Sequence, residues 1–359
     1  MRLLLAGGGT GGHLFPAVAL AEQLKQEEPQ SEVLFVGTEK GLEARLLPEL
    51  GWPLKTVSTS GWAGLGLAAR LKALQNILVG FGQAKKILKE FAPDVIVGVG
   101  GYASVPVLLA AKWLKMPYLI HEQNARPGLA NRLLGRWAQR ICLSFDEVDE
   151  AFAGRPTTVT GNPVRAAMEA CPEVGLEKPR LLVFGGSLGA RAINEAVVQA
   201  LPMLKERLGE VEIIHQTGKL DIETVEAGYS AAGWETSKVQ IFITDMATAY
   251  QQANLVVCRA GATTLAELTA CGRPAILVPF PHAAGDHQTA NARALEKEGA
   301  AILLKQTDLT AESLAEQIIE LLGDETRLRS MATAARQMAH PGAAARLLNE
   351  CRAVMTTTD

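Results

Sequence analysis

Short apolar runs alternate with longer amphipathic stretches along almost the whole chain. The runs Leu3–Ala6, Val33–Val36, Leu54–Val57, Val95–Val97, Tyr118–Ile120 and Arg140–Leu143 are nearly continuous in hydrophobic residues, as strands covered on both faces must be. Stretches with helical spacing, such as Pro16–Gln26 and Leu67–Lys89, lie between them. The pattern then restarts with Arg180–Phe184, Val211–Ile214, Val239–Ile243, Leu255–Val257, Ala275–Val278 and Ala301–Leu303. The two halves also begin alike: Arg2-Leu3-Leu4-Leu5-Ala6-Gly7-Gly8-Gly9 lines up with Arg180-Leu181-Leu182-Val183-Phe184-Gly185-Gly186-Ser187. The pattern predicts an α/β protein of two Rossmann-like lobes, each opening on a glycine-rich loop, with the chemistry in a cleft between them.

Turn signals suggest the boundary. Gly161-Asn162-Pro163 is a turn, and the segment from Cys171-Pro172 to Lys178-Pro179 is polar and punctuated by proline. His340-Pro341-Gly342 sets off a final helix, Ala343–Val354, expected to pack back on the first lobe. The expected division is 1–163 together with 341–359, and 164–340.

Composition narrows the function. A chain of 359 residues can bury two cores, and its 48% hydrophobic and 20% charged content is that of a globular protein. Aromatics at 5% and a net charge of −3 argue against a nucleic-acid partner, which would want stacking platforms and a basic groove. The charge is uneven. Residues 1–160 hold 17 Lys/Arg against 14 Asp/Glu, and the remainder hold 18 against 24. Between Gly51 and Lys89 stand Lys55, Arg70, Lys72, Lys85, Lys86 and Lys89 with no acid among them, interleaved with Leu74, Ile77, Leu78, Val79 and Phe81. That stretch reads either as an amphipathic helix with a solvated basic face or as a segment that attaches to an anionic membrane surface. No signal peptide precedes the first strand, and no apolar run approaches the roughly 20 residues of a membrane helix. Cys142, Cys171, Cys258, Cys271 and Cys351 show no metal or redox spacing, so five free thiols in a reducing compartment are expected.

Several loops could carry chemistry. Gly7-Gly8-Gly9-Thr10-Gly11-Gly12-His13 would let backbone N–H groups and a helix N-terminus approach an anion. It formally satisfies the dinucleotide fingerprint, but Glu39, the nearest acid, comes later than the usual ~20 positions. His13 could cap its own helix or act as a base. Gly185-Gly186-Ser187-Leu188-Gly189-Ala190 repeats the anion argument and adds a hydroxyl. Gly100-Gly101-Tyr102 follows another strand, either as a third anion-facing turn or as close packing. His121-Glu122-Gln123-Asn124 ends a strand where ligands of open α/β sheets sit, with a surface turn as the alternative. Thr263, Thr264 and Glu267 could form a capping box, or Glu267 could accept from sugar hydroxyls. His282, Asp286 and His287 match no zinc spacing, and a sugar or phosphate loop is favoured over a metal.

Taken in order, these motifs, with Gly161-Asn162-Pro163-Val164-Arg165, Cys258-Arg259-Ala260-Gly261-Ala262 and Asp286-His287-Gln288 with Asn291, resemble one family from the first strand to the final helix. It is the MurG family of bacterial N-acetylglucosaminyltransferases, which make lipid II. The resemblance implies the two-lobed GT-B fold and inverting transfer of N-acetylglucosamine from UDP-N-acetylglucosamine to the C4 hydroxyl of undecaprenyl-diphosphate-N-acetylmuramoyl-pentapeptide (lipid I). It implies no cofactor and no essential metal, and a peripheral position on the cytoplasmic face of the cell membrane. It also implies site roles. Ser187 and Arg165 would contact the UDP diphosphate, and Ile243 would present its backbone to uracil. Ala262, Thr263, Thr264, Leu265, Ala266 and Glu267 would line the nucleotide. Gln288 and Asn124 would hold the sugar, and Thr10, Gly11 and Gly12 would approach the donor from across the cleft. His13 would be the base, with Glu122 as helper. Gly100, Gly101 and Tyr102 would face the acceptor's lipid diphosphate. Leu188 departs from the family, which commonly has Gln there. The competing functions are a nicotinamide-dependent oxidoreductase, from the formal fingerprint, and a non-catalytic nucleotide-sugar sensor.

Overall fold

The computed structural model describes residues 1–59, 67–145, 150–152, 154–173, 175, 178–209 and 211–356, with backbone alone for 67–73 and 284. It divides into two units, Met1–Arg165 with Gly342–Asp359, and Ala166–Pro341. The observed boundary places Arg165 in the first unit, two residues beyond the expected one.

The first unit runs β1 (Arg2–Gly7), α1 (Gly11–Glu27), β2 (Glu32–Gly37), α2 (Leu42–Glu49), β3 (Leu54–Thr56), α3 (Leu67–Phe91), β4 (Val95–Gly100), α4 (Ser104–Trp113), β5 (Tyr118–Glu122), α5 (Leu129–Leu134), β6 (Arg140–Leu143) and β7 (Thr157–Val159). All strand pairs are parallel, in the order β3-β2-β1-β4-β5-β6-β7. Alternate residues feed opposite faces, as the pleat demands. Leu3, Leu5, Val33, Phe35, Val95 and Val97 face α1, whereas Leu4, Ala6, Leu34, Val36 and Ile96 pack with Ala84, Leu88, Val107 and Leu108 of α3 and α4. The last helix, Ala343–Thr356, adds Leu347, Leu348, Cys351 and Val354 to the α1 face. Arg140–Glu350 and Arg352–Glu27/Glu28 ion pairs fasten it there.

The second unit begins with α6 (Ala166–Glu169), β8 (Arg180–Phe184), α7 (Arg191–Leu208), β9 (Glu212–Gln216), α8 (Ile222–Ala231) and β10 (Val239–Gln240). It continues through α9 (Met246–Gln252), β11 (Leu255–Cys258), α10 (Ala262–Cys271), β12 (Ala275–Leu277), α11 (His287–Lys297), β13 (Ala301–Leu303), α12 (Ala311–Gly323) and α13 (Glu325–Gln337). Its parallel sheet has the order β10-β9-β8-β11-β12-β13. Leu181, Val183, Ile213, Val257 and Ile276 meet Ile193, Val197 and Leu201 of α7 and Leu314 and Ile318 of α12.

The sequence pattern and the structure differ in four places. Strand β7 lies on the sheet edge, only half-buried, and its Thr157-Thr158-Val159 is too polar to stand out. Strand β10 stops at Gln240 because the chain turns away before Ile243. Helix α1 starts at Gly11 rather than Pro16, which sets His13 in its first turn. Cys171 and Cys271 form a disulfide, against the expectation of five free thiols. Their separation of 100 residues gives no local spacing to read, and only Cys142, Cys258 and Cys351 remain free, all buried.

One polar network crosses the second core. The amide of Asn194 donates to the Thr217 carbonyl and to Asp221, so its oxygen faces His215 Nε2 at 3.1 Å and accepts from it. The other ring nitrogen then accepts from the Tyr229 hydroxyl at 3.0 Å. Burial lowers the His215 pKa to about 3. The unfolded chain takes up this proton below about 6.5, whereas the folded one resists it. Stability is therefore lost as pH falls from about 6.5 toward 3, by at most about 1.4 kcal/mol per pH unit for one proton. Denaturant titrations at several pH values, compared between the unaltered chain and His215→Gln, should show a shallower acid dependence in the variant. Parallel curves would reject the assignment.

Candidate active site

In each sheet the strand order reverses next to the first strand of the unit, between β1 and β4 and between β8 and β11. Ligands of open α/β sheets bind at such switch points, outside the carboxyl ends of the strands. The glycine-rich segments lie there. Gly7–Gly12 follows β1, Gly100–Gly101 follows β4, Gly185–Ala190 follows β8, and Gly261 opens α10 after β11.

In the first unit the two glycine loops pack against each other. A Cβ on Gly101 would fall 2.4 Å from the Gly8 carbonyl oxygen, so both positions need glycine for close approach. Behind the loop lies a residue that the sequence motifs did not single out. Glu43, fully buried on α2, accepts from Gly9 N at 2.7 Å, Thr38 N at 2.8 Å and Thr38 Oγ1 at 2.9 Å. Gly8, Gly37 and Gly41 enclose its carboxyl so tightly that a Cβ on any of them would fall within 2.4 Å of a Glu43 side-chain atom. The acid near the end of the second strand thus serves the loop from behind and, fully buried, does not present its carboxyl to a ribose as the dinucleotide reading needs.

Thr10 is the N-cap of α1, and its hydroxyl lies 3.2 Å from His13 Nδ1. The outer edge of the imidazole lies over Gly100, where a Cβ would come 3.0 Å from Nε2. Asn131 Nδ2 is on the same side of Gly100 and donates to Glu122 Oε2 at 2.9 Å. Glu122 is only 1% exposed. Its other donors are Asn124 N and Nδ2 on Oε1 and Gly128 N on Oε2. Both oxygens are therefore engaged, and desolvation is the main influence on the carboxyl, raising its pKa. Glu122 thereby ties the loop from Asn124 to Asn131 to the end of β5.

His121 and Gln123 are likewise buried rather than on a surface turn. His121 Nε2 meets the Gly161 carbonyl at 3.1 Å, and Gln123 Nε2 bridges His121 Nδ1 and the Val99 carbonyl, each at 3.0 Å. Burial lowers the His121 pKa to about 4, so the ring is neutral near pH 7. The motif is a strut between the ends of β4 and β5 and the Gly161 turn. Tyr102, by contrast, is more than half exposed, and Gly100 and Gly101 sit at φ 90° and 77°. Arg165, the last residue of the first unit's main segment, stacks on Phe15 of α1, 5.5 Å from the ring centroid.

In the second unit, Gly189 N donates to the Gly186 carbonyl, closing the loop around Ser187 and the exposed Leu188. A Cβ on Gly189 would fall 2.0 Å from the Thr217 carbonyl, so the loop lies flat on the end of β9. Gln216, nearly fully buried, donates to the Gly186 carbonyl and accepts from Ile243 N, both at 2.8 Å. The Ile243 N–H is thus already engaged. Helix α10 begins at Ala262 with Gly261 as N-cap, and no side chain caps it, so the alternative of a capping box from Thr263, Thr264 and Glu267 is not met. Ala262, Thr263, Leu265 and Glu267 are buried, with Thr264 and Ala266 partly exposed. Glu267 accepts from the Tyr250 hydroxyl at 3.1 Å. Gln288 accepts from Phe280 N, and Asn291 donates to the Ala260 carbonyl, so α11 is tied to the start of α10. Arg259 reaches the Val278 and Pro279 carbonyls and Gln306. Among the described residues, no group of three or more His, Cys, Asp or Glu is arranged to hold a metal ion.

Comparison with known proteins agrees with this geometry. Residues 3–143 match the glycosyltransferase family 28 N-terminal domain, and residues 180–347 match the family 28 C-terminal domain. A relative from Syntrophotalea carbinolica is 55% identical over 99% of both chains, and one from Geobacter sulfurreducens is 49% identical over 98% of both. Each is named UDP-N-acetylglucosamine--N-acetylmuramyl-(pentapeptide) pyrophosphoryl-undecaprenol N-acetylglucosamine transferase. The crystal structure of MurG from Acinetobacter baumannii superposes with a TM-score of 0.76 at 35% identity, covering 98% of this chain and 99% of that one. A UDP co-structure of MnaA from S. aureus shares the fold at 14% identity, with a TM-score of 0.68 and coverage of 98% and 96%. Two Rossmann-like units with glycine loops at both switch points, matched in each half and across nearly the full length, show that the chain belongs to glycosyltransferase family 28 and, within it, to the MurG N-acetylglucosaminyltransferases.

Proposed function

We propose that this protein moves N-acetylglucosamine from UDP-N-acetylglucosamine to the C4 hydroxyl of undecaprenyl-diphosphate-N-acetylmuramoyl-pentapeptide, the step from lipid I to lipid II in peptidoglycan synthesis. The observation that carries the reading is the 55% identity, over 99% of both chains, to a transferase named for that donor and acceptor. The second unit takes the donor. The backbone N–H groups of Gly185–Ala190, the Ser187 hydroxyl and the N-terminus of α10 meet the negative charge that grows on the departing diphosphate. The first unit takes the acceptor, with Gly100, Gly101 and Tyr102 beside its lipid diphosphate.

In the reaction, a lone pair on the acceptor oxygen attacks the anomeric carbon as the bond to the diphosphate oxygen breaks. The configuration inverts, and the hydroxyl proton passes to His13. In that role Nδ1 carries a hydrogen and donates to Thr10 Oγ1, which leaves the basic lone pair on Nε2. UDP release from UDP-N-acetylglucosamine should require a lipid-linked muramoyl acceptor, and no release with it would overturn the proposal. His13→Ala should lower kcat by about a hundredfold or more, the usual worth of a general base, with UDP affinity unchanged in calorimetry. Unaltered kcat would remove His13 from this role.

The membrane is the other partner. No helix among the described residues is long and apolar enough to cross a bilayer. Leu74, Leu78 and Val79 of α3 are exposed, as are Trp113 and Trp137. Phe81 meets Trp113 edge-on at 6.4 Å, Lys85 lies over both rings, and Lys112 lies over Trp137 at 3.2 Å. Apolar bodies with lysines laid across them suit the headgroup boundary of an anionic leaflet. The side chains of Arg70 and Lys72, part of the same basic stretch, lie outside the described residues. In vesicle sedimentation, binding should rise with anionic lipid and fall with salt. Lys85→Glu with Lys112→Glu should weaken it by roughly tenfold or more, since each lysine near the surface is worth about 1 kcal/mol. Binding that is indifferent to salt and to these changes would reject the electrostatic attachment.

A further inference from the structure

We infer that Gln216 is a positioning residue whose single side-chain amide sets the diphosphate loop of the second unit and its base-binding segment in register. The inference rests on the reading that this unit takes a UDP sugar. Gln216 ends β9 and is 3% exposed. Its Nε2 donates to the Gly186 carbonyl and its Oε1 accepts from Ile243 N, both at 2.8 Å. An amide is the side chain that can donate at one end and accept at the other, and here each end meets a different loop. Gly186 belongs to the loop over which the diphosphate would lie, and Ile243 to the segment expected at the base. The Gly189 contact holds the loop to the end of β9, not to Ile243.

The charge of this residue fits its place. The first unit fastens its own glycine loop with the carboxylate of Glu43, whereas the second uses a neutral group under the loop assigned to an anion. A carboxylate at 216 could still accept from Ile243 N but could not donate to Gly186 O, and it would face an incoming diphosphate with like charge.

The test compares UDP with uridine, which lacks the phosphates, in calorimetry on the full chain. Gln216→Glu should keep uridine affinity within about twofold and lower UDP affinity about tenfold or more, the scale of a lost positioned hydrogen bond. Gln216→Met, neutral and of similar length, should lower the affinity for both and raise the KM for UDP-N-acetylglucosamine far more than it lowers kcat. Unchanged UDP affinity in Gln216→Met, or an equal loss of uridine and UDP affinity in Gln216→Glu, would overturn the inference while leaving the donor reading intact. Failure of the unaltered chain to bind UDP would overturn both. Amide exchange on the unaltered, ligand-free protein gives a check that needs no variant. The Ile243 N–H should be protected, and exchange at the rate of an open loop would overturn the inference.

Discussion

The carboxylate of Glu43 is the contact on which the first unit's loop depends. It holds Gly9 and Thr38 through three hydrogen bonds, and Gly8, Gly37 and Gly41 are shaped around it. A polar group so deeply buried is tolerated because its oxygens are met by donors. The loop is therefore a built surface rather than a slack glycine hinge, and it brings His13 over Gly100. The second unit solves the same geometric problem with an amide. Two lobes of one architecture thus differ in the side chain beneath their loops, and the amide underlies the loop assigned to a diphosphate.

The sequence carried the architecture because parallel strands covered on both faces leave a plain trace. Leu3–Ala6 and Arg180–Phe184 could not be read as anything but buried, and the glycines after them marked the switch points. What the sequence hid were contacts between residues far apart. Glu39 and Glu43 both follow the second strand, and only the fold shows that Glu43 is the one that turns inward. His121, Glu122 and Gln123 looked like cleft chemistry because polar residues at a strand end usually are. Their hydrogen bonds to Gly161, Asn131 and Val99 brace the strand ends, which no local pattern announces. The Cys171–Cys271 bond had no spacing to betray it. The aromatic half of the surface proposed to meet the membrane, Trp113 and Trp137, comes from helices and turns outside the basic stretch, so no window along the chain could assemble it.

The asymmetry of charge between the halves takes on meaning once function is assigned. The first 160 residues carry the excess of Lys/Arg, and the lysines laid over Phe81, Trp113 and Trp137 belong to it. On the proposed function the more acidic second half has an anion to hold. Loop amides and a helix end would do so through partial charges that act at short range and leave the overall sign of the unit free.

The last helix, Ala343–Thr356, supplies Leu347, Leu348, Cys351 and Val354 to the core of the first unit, after the whole of the second unit has intervened in the chain. On a ribosome, residues 1–165 therefore emerge as a sheet with one face incompletely covered. The second unit, contiguous from Ala166 to Pro341, has all its parts before the first unit does. The order of synthesis and the order of completion are reversed. The nascent first unit must keep Leu3, Leu5, Val33 and Phe35 from other apolar surfaces until the helix Ala343–Thr356 has been made, which lengthens their exposure to chaperones and to aggregation.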